Sequence, residues 1–305
     1  MVEQTGYYSA DRFTIELAMG AAPLFSAGYY SELGLAEITI EVANYPAGFS
    51  GLITGQIDNI RIDFTTSLVK LSGRNLSARL IDAEISDTFV NQTSSQIAET
   101  LALRHGLVPN VTVTSTPIGQ YYELDHARSV LGLHSRSGNA WDLMAQLAQL
   151  ENFSLSVVGK ILNFLPPLLL QAAFLNVQSC IDLSFDMATT LPTTAIVKSW
   201  NTRNKIALNH SVGGMSGGIT TLIKPNLTSE QAQLIATNHL LMLTLHSRIM
   251  KAKIPGELSM MPGTAILLAG TGSSFDQMYV VDSIVREISV KDGFTQTIRA
   301  HAVSG

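Results

Sequence analysis

The sequence predicts an α+β chain that is mostly β. Three observations carry this. Runs with period-two alternation dominate the first 85 residues, helical patterns introduced by capping boxes enter from Thr93, and strand patterns return from Ile181 onward.

Phe13–Leu17, Ile38–Val42 and Ile57–Phe64 set apolar side chains on one face and polar ones on the other, as strands covered on one side do. Leu68–Gly73 follows the short Thr65-Thr66-Ser67 connection, so an antiparallel hairpin is expected, with Leu76–Ile81 leading away from it. Thr93-Ser94-Ser95-Gln96 has capping-box spacing and opens a helix with Ile97, Ala98, Leu101 and Ala102 on one face. Gly106 stops it, and His105 just before the stop suits a helix C-terminus, where positive charge is favoured. Val111–Thr114 reads as a strand.

A second helix is expected from about Asn139, with Trp141, Met144, Ala145 and Ala148 at the spacing of one apolar face. Phe153–Val158 and Ile161–Phe164 read as a hairpin around Gly159-Lys160. The apolar stretch Ile161–Leu175 is interrupted by Asn163, Pro166, Pro167 and Gln171, so it reads as a strand followed by an apolar linker, not a bilayer span. Strand character resumes from Ile181 through Ala195–Trp200 and breaks at Val212–Gly218, which reads as a flexible loop. Thr228-Ser229-Glu230-Gln231 is another capping box, opening a helix through Leu234, Ile235, Leu241, Met242 and Leu245. Strands are then expected at about 247–254, 264–268, 278–290 and 294–303.

At 305 residues there is room for two domains. Two β-rich units, residues 1–85 and 176–305, the latter with a helix near 229–246, flank an α/β unit at 86–165. Strands near 155–180 are candidates to complete the first unit. That arrangement suggests internal structural duplication, although no sequence identity between the units is visible.

Charged residues make up 14% of the chain, against about 25% in ordinary soluble domains, while 46% are hydrophobic and the mean hydropathy is +0.23. With no run long enough to span a membrane, large protein–protein contacts are the remaining explanation. The N-terminus lacks the pattern of a secretory signal, so folding in a cytoplasm is expected. The single Cys180 excludes a disulfide framework and any thiolate-rich metal site. A net charge of −5 offers no basic footprint for phosphate binding.

Chemistry is hard to find. His105, His126, His134, His239 and His246 form no metal-ligand motif, and surface or capping roles are the expectation. The pairs Asp82 with Glu84 and Asp182 with Asp186 could serve a glycosidase only if a cleft held them, and solvated strand or turn positions suit them better. Gly213–Gly218 lacks phosphate-loop spacing, and there is no nucleophile elbow. The reading is therefore non-enzymatic, with no catalytic, cofactor-binding or metal-binding residues and no cofactor.

Six stretches carry a resemblance. Thr88–Leu107 has an N-Q-T start, a short helix and a terminal H-G-L. Gly51–Asp58 carries G-x-I-D, and Leu71–Asp82 carries G-R-x-x-x-x-x-L-x-D. Asn139–Phe164, Tyr279–Ile284 and Gly293–Ala300 continue the pattern. In this order they resemble the late-control protein D family of phage tail proteins, clearest over about 50–165 and 278–301. The resemblance implies a baseplate hub: a homotrimer with two tube-like β-barrel domains per chain. Its pseudo-sixfold ring would adapt a sixfold tail tube above to a threefold spike below, among baseplate wedge proteins, in a virion assembled in the host cytoplasm. DNA would pass the lumen without specific binding, and no membrane insertion is implied. Unlike fused hub-spike relatives of type VI secretion systems, this sequence leaves no room for the spike, which is expected as a separate polypeptide. A tail-associated cell-wall hydrolase and a receptor-binding tail module are the alternatives. The second would call for exposed aromatic loops, and aromatics are 7% here.

Overall fold

A computed structural model describes residues 1–6, 8–20, 23–44, 48–85, 87, 89, 92–115, 117–118, 138–167, 170–201, 205–214, 217–225, 227–245 and 247–303. The chain opens with β1 (Val2–Thr5) and β2 (Arg12–Ala18), then α1 (Ala27–Glu32), β3 (Glu37–Asn44), β4 (Gly48–Asp63) and β5 (Leu68–Asn75). The middle holds α2 (Ala78–Ile81), β6 (Gln92–Thr93), α3 (Ser94–Arg104), β7 (Val108–Val111), β8 (Pro117–Ile118), α4 (Ala140–Glu151), β9 (Ser154–Val158) and β10 (Ile161–Leu165). Then come β11 (Leu170–Asn176), β12 (Asp182–Met187), β13 (Pro192–Asn201), β14 (Ile206–Gly213), β15 (Gly218–Ile223) and α5 (Ser229–Leu245). The chain closes with β16 (Arg248–Pro255), β17 (Thr264–Ala269), β18 (Met278–Ser289) and β19 (Gly293–Ala302). Strand accounts for 50% and helix for 21%, so the fold is α+β and mostly β.

One sheet of eleven strands runs through both β-rich ends of the chain, in the order β12-β16-β19-β18-β1-β2-β5-β4-β3, with β17 on β18 and β11 on β17. This sheet contains the same unit twice. Taken in chain order, the strands β1, β2, β3, β4, β5 lie in space as first-second-fifth-fourth-third, and β12, β16, β17, β18, β19 lie in that same order. Every neighbouring pair within each unit is antiparallel. The units meet where β1 pairs with β18. Each has its own apolar core: Val2, Phe13, Leu52 and Ile53, with a second cluster at Tyr30, Val69 and Leu71, in the first; Met250, Ile266, Tyr279, Val281, Ile284 and Ile298 in the second.

Between the units in the chain comes an α/β layer in which α3 and α4 cover the sheet β7-β10-β9. Both helix starts follow from sequence. Thr93 and Gln96 form a reciprocal capping box on α3, and Asn139 caps α4 through the Asp142 amide. The apolar face of α4 is wider than the spacing implied, because Leu143 and Leu147 are as buried as Trp141 and Met144. The β9–β10 hairpin turns at Gly159, whose φ of 57° is left-handed.

A second excursion, β13–β15 with α5, leaves the β12–β16 hairpin where Met187 faces Arg248. Here the expected helix face holds only in part: Ile235 packs against the small core of this excursion. The residues of α5 buried against its sheet are Ala232 and Ala236, while Leu234, Leu241, Met242 and Leu243 are exposed. Apolar residues fall on every side of the helix among nearly as many polar ones, so its pattern could not say which side packs; the small residues win because they let the helix approach the sheet closely.

Two further expectations are corrected. The linker expected after Ile161–Phe164 becomes strand β11 from Leu170, pairing in parallel with β17. A run of apolar residues without alternation hid it. The glycines expected in a flexible loop are pinned: Gly214 N–H donates to Thr193 O, and Cβ atoms on Gly213 or Gly217 would stand within 2.0 and 2.6 Å of Thr193 atoms. They permit close approach to β13. Met215 and Ser216 lie outside the described residues.

Candidate functional site

No group of three or more His, Cys, Asp or Glu is placed to hold a metal among the described residues. Asp182 and Asp186 are exposed on β12, at the end of the sheet path. Asp82 is drawn into an ion network (below) and Glu84 is exposed beside an isolated bridge to Asn139. His210 bonds the Ser229 hydroxyl at 2.9 Å and His239 that of Thr220 at 3.3 Å. His126, His134 and His246 lie outside the described residues. The expected cationic role of His105 is corrected: burial, then the neighbouring Arg104 charge, push its pKa down, favouring neutral imidazole at the end of α3.

The sequence motifs instead mark a structural device built twice. In β4 the pairing with β5 skips from Ile57 to Asn59, so Asp58 is the extra residue of a β-bulge. The bulge aims its carboxylate at Arg74 on β5, which donates from Nε at 2.6 Å and from Nη2 at 3.0 Å. Arg74 also grips Asp82, just after α2, at 3.0 and 2.9 Å. The Arg74 bonds hold the Asp58 carboxyl below the usual range. G-x-I-D and G-R-x-x-x-x-x-L-x-D are thus the two sides of one ion network linking β4, β5 and the start of the middle layer. In β18 the pairing with β19 skips from Val281 to Ser283, leaving Asp282 as the extra residue, bonded at 2.5 Å to His301 on β19. Gly73 faces Ile57 and Ala300 faces Val281; Arg74 and His301 each follow that facing residue. The two bulges are therefore equivalent to the residue.

A joint fastens the middle layer to the first unit. Trp141 donates its indole N–H to Tyr8 O at 2.7 Å, the Tyr8 hydroxyl donates to Phe153 O at 2.9 Å, and buried Asn75 donates to Val157 O at 3.0 Å. Asn75 also donates to Asp11 at 3.2 Å, and Thr5 N–H donates to the other Asp11 oxygen at 2.9 Å. Burial pushes the Asp11 carboxyl up to about 6, against the lowering effect of the Thr5 and Asn75 bonds, with Glu3 adding to the rise. A raised folded-state pKa means that the folded chain holds this proton more tightly, so its contribution is full below about pH 4 and lost as pH rises through about 6. Asp11→Asn removes that slope. Relative to wild type, the variant should gain roughly 2 kcal/mol between about pH 4 and pH 7, read from urea midpoints at the two pH values.

Large exposed apolar side chains are abundant outside these cores: Leu35, Phe49, Phe64, Phe174, Trp200, Ile219 and Ile223 are all exposed.

The fold is shared with solved phage tail proteins. Similar solved structures are the tail protein from Neisseria meningitidis MC58 (13% identity, TM-score 0.72, covering 98% of this chain and 90% of that one) and the 43 kDa tail protein of prophage MuSo2 from Shewanella oneidensis (15%, 0.71, 98% and 92%). An E. coli component of the type VI secretion system, described as structurally similar to the T4 tail proteins gp27 and gp5, matches at 12% identity and TM-score 0.63, covering 99% and 72%. At these identities the likeness is one of fold. No protein-family model matches the sequence, and no curated protein matches it.

Proposed function

We propose that this chain is a structural baseplate hub of a contractile phage tail or related injection device, without enzymatic activity. The observation that carries the reading is the duplicated unit: three chains, each with two five-stranded units of one strand order, present six equivalent elements around a threefold axis. Such a ring matches a sixfold tail tube on one side and a threefold spike on the other. In this reading the units at 1–85 and 176–305 are the two tube-like barrels, and the α/β layer at 86–165 comes between them in the chain.

The fold shared with tail proteins and with a type VI secretion component supports this, as does the low charge. The chain then works in the virion baseplate after assembly in the host cytoplasm, beside tube and wedge proteins, with DNA crossing a lumen that binds no particular sequence. Negative-stain images of the purified protein should show threefold rings with a central hole. A chain that stays monomeric by light scattering, with tube and spike proteins present, overturns the reading.

A further inference from the structure

The two units of one chain join through β1 and β18, and the same join can be made once more at each end of the chain. β1 is the first strand of its unit and β18 the fourth strand of the other. Their register sets Val2 opposite Arg286, Glu3 opposite Val285, Gln4 opposite Ile284 and Thr5 opposite Ser283. The corresponding strands, β12 and β4, have no such neighbour among the described residues. β12 pairs on one side alone, with β16, and β4 pairs with β3 no further than Gln56, so the stretch Asn59–Ile62 is paired only with β5.

Matching registers carries the join across. Phe13 pairs with Gly73 and Met250 with Ala300, the residues that face the two bulges. Val2 pairs with Phe13 and Phe185 with Met250, so Phe185 stands where Val2 does, Asp186 where Glu3 does, and Met187 where Gln4 does. On the other strand, Ile284, Val285 and Arg286 lie at the same distances beyond the bulged Asp282 as Ile60, Arg61 and Ile62 lie beyond the bulged Asp58.

Resting on the ring reading, we infer that β12 of one copy pairs antiparallel with Asn59–Ile62 of β4 in a second copy, with Phe185 opposite Ile62, Asp186 opposite Arg61 and Met187 opposite Ile60. Charge supports this register: it sets an exposed carboxylate directly across from an exposed guanidinium, the favourable cross-strand pairing. Burial supports it too. At the join already made, Ile284 is fully buried and Val285 half-buried. At the join not yet made, Ile60 is half-buried, Arg61 exposed and Met187 54% exposed, the difference a missing strand leaves. Repeated head to tail, the contact is heterologous and closes a ring when six joins, three within chains and three between them, complete a turn.

Charge reversal tests the pairing at two exposed positions whose substitution leaves the folded chain intact. Arg61→Asp and Asp186→Arg should each weaken the trimer about tenfold or more by sedimentation, and the chain carrying both should recover it. In a Cys180→Ser background, Ile60→Cys with Met187→Cys should give covalent species of two and three chains on oxidation, seen on a denaturing gel. A trimer that survives both reversals and yields no covalent species overturns the pairing and leaves the ring reading intact. A wild-type chain that remains monomeric beside its tail partners overturns both.

Discussion

Trp141→Ala should lower the unfolding free energy by about 3 to 5 kcal/mol, measured as a shifted urea midpoint. Trp141 is 3% exposed and packs among Leu101, Met144, Leu155 and Phe164 at the centre of the largest apolar cluster. Removing the indole empties a volume that α3, α4 and the small sheet cannot close together, since each is held by its own cap or turn. It also leaves Tyr8 O, in a half-buried residue, without its indole donor, and a carbonyl left unpaired there adds its own cost. Because Tyr8 belongs to the β1–β2 turn, the effect should extend past the middle layer. Hydrogen exchange should rise around Phe153 and in the β1–β2 turn as well as in α4. A loss confined to α4 would show that the joint is not cooperative. Trp141→Phe, which keeps most of the volume and loses the bond, should cost about 1 to 2 kcal/mol and separates the two contributions.

How much of this was legible in the sequence depends on whether a residue's role is local. The capping boxes at Thr93 and Thr228 are local chemistry, and the structure forms both. The strands at 248–255, 264–269, 278–289 and 293–302 fall within a residue or two of where alternation sets them. Roles set by distant partners were hidden. β11 has no period of its own because it is defined by β17, and α5 shows apolar residues on every side, so packing alone selects Ala232 and Ala236. The joint between units was invisible for the same reason. β1 is four residues long, and its significance comes from pairing with a strand some 280 residues away.

The motif residues occupy an intermediate position. Asp58, Arg74 and Asp82 were legible as a pattern long before their purpose was, and the equivalent pair, Asp282 and His301, shares only its aspartate. What the two sites hold in common is geometry: a bulge, an acid at the extra residue, and a basic side chain one residue past the facing position. Duplication was suggested by the order of β-rich segments and becomes visible in strand order, because strand order tolerates replacement of nearly every side chain while cores are kept apolar.

Gly73→Ala should have an effect as large as loss of the indole, about 3 kcal/mol or more, despite adding a single methyl group. A Cβ at this position would stand 2.0 Å from Gln56 O and 2.7 Å from the ring of Phe13, itself 1% exposed. Neither neighbour can retreat cheaply: Gln56 O is backbone at the crossing of β4 and β5, and Phe13 fills the first core. Gly55 meets the reverse contact, with Arg74 O 2.2 Å from where its Cβ would be, so the two motif glycines let these strands approach each other at one crossing. Forcing them apart also moves Arg74 relative to the Asp58 bulge, so the Gly73→Ala chain should lose part of its salt-sensitive stability along with its packing. Gly51→Ala is the control, in the neighbouring strand β4 with nothing within 4 Å of the added atom, and should be neutral or stabilising by about 0.5 kcal/mol. If the two substitutions shift the urea midpoint equally, the close approach of β4 and β5 is wrong, and with it the account of why the motif carries glycine.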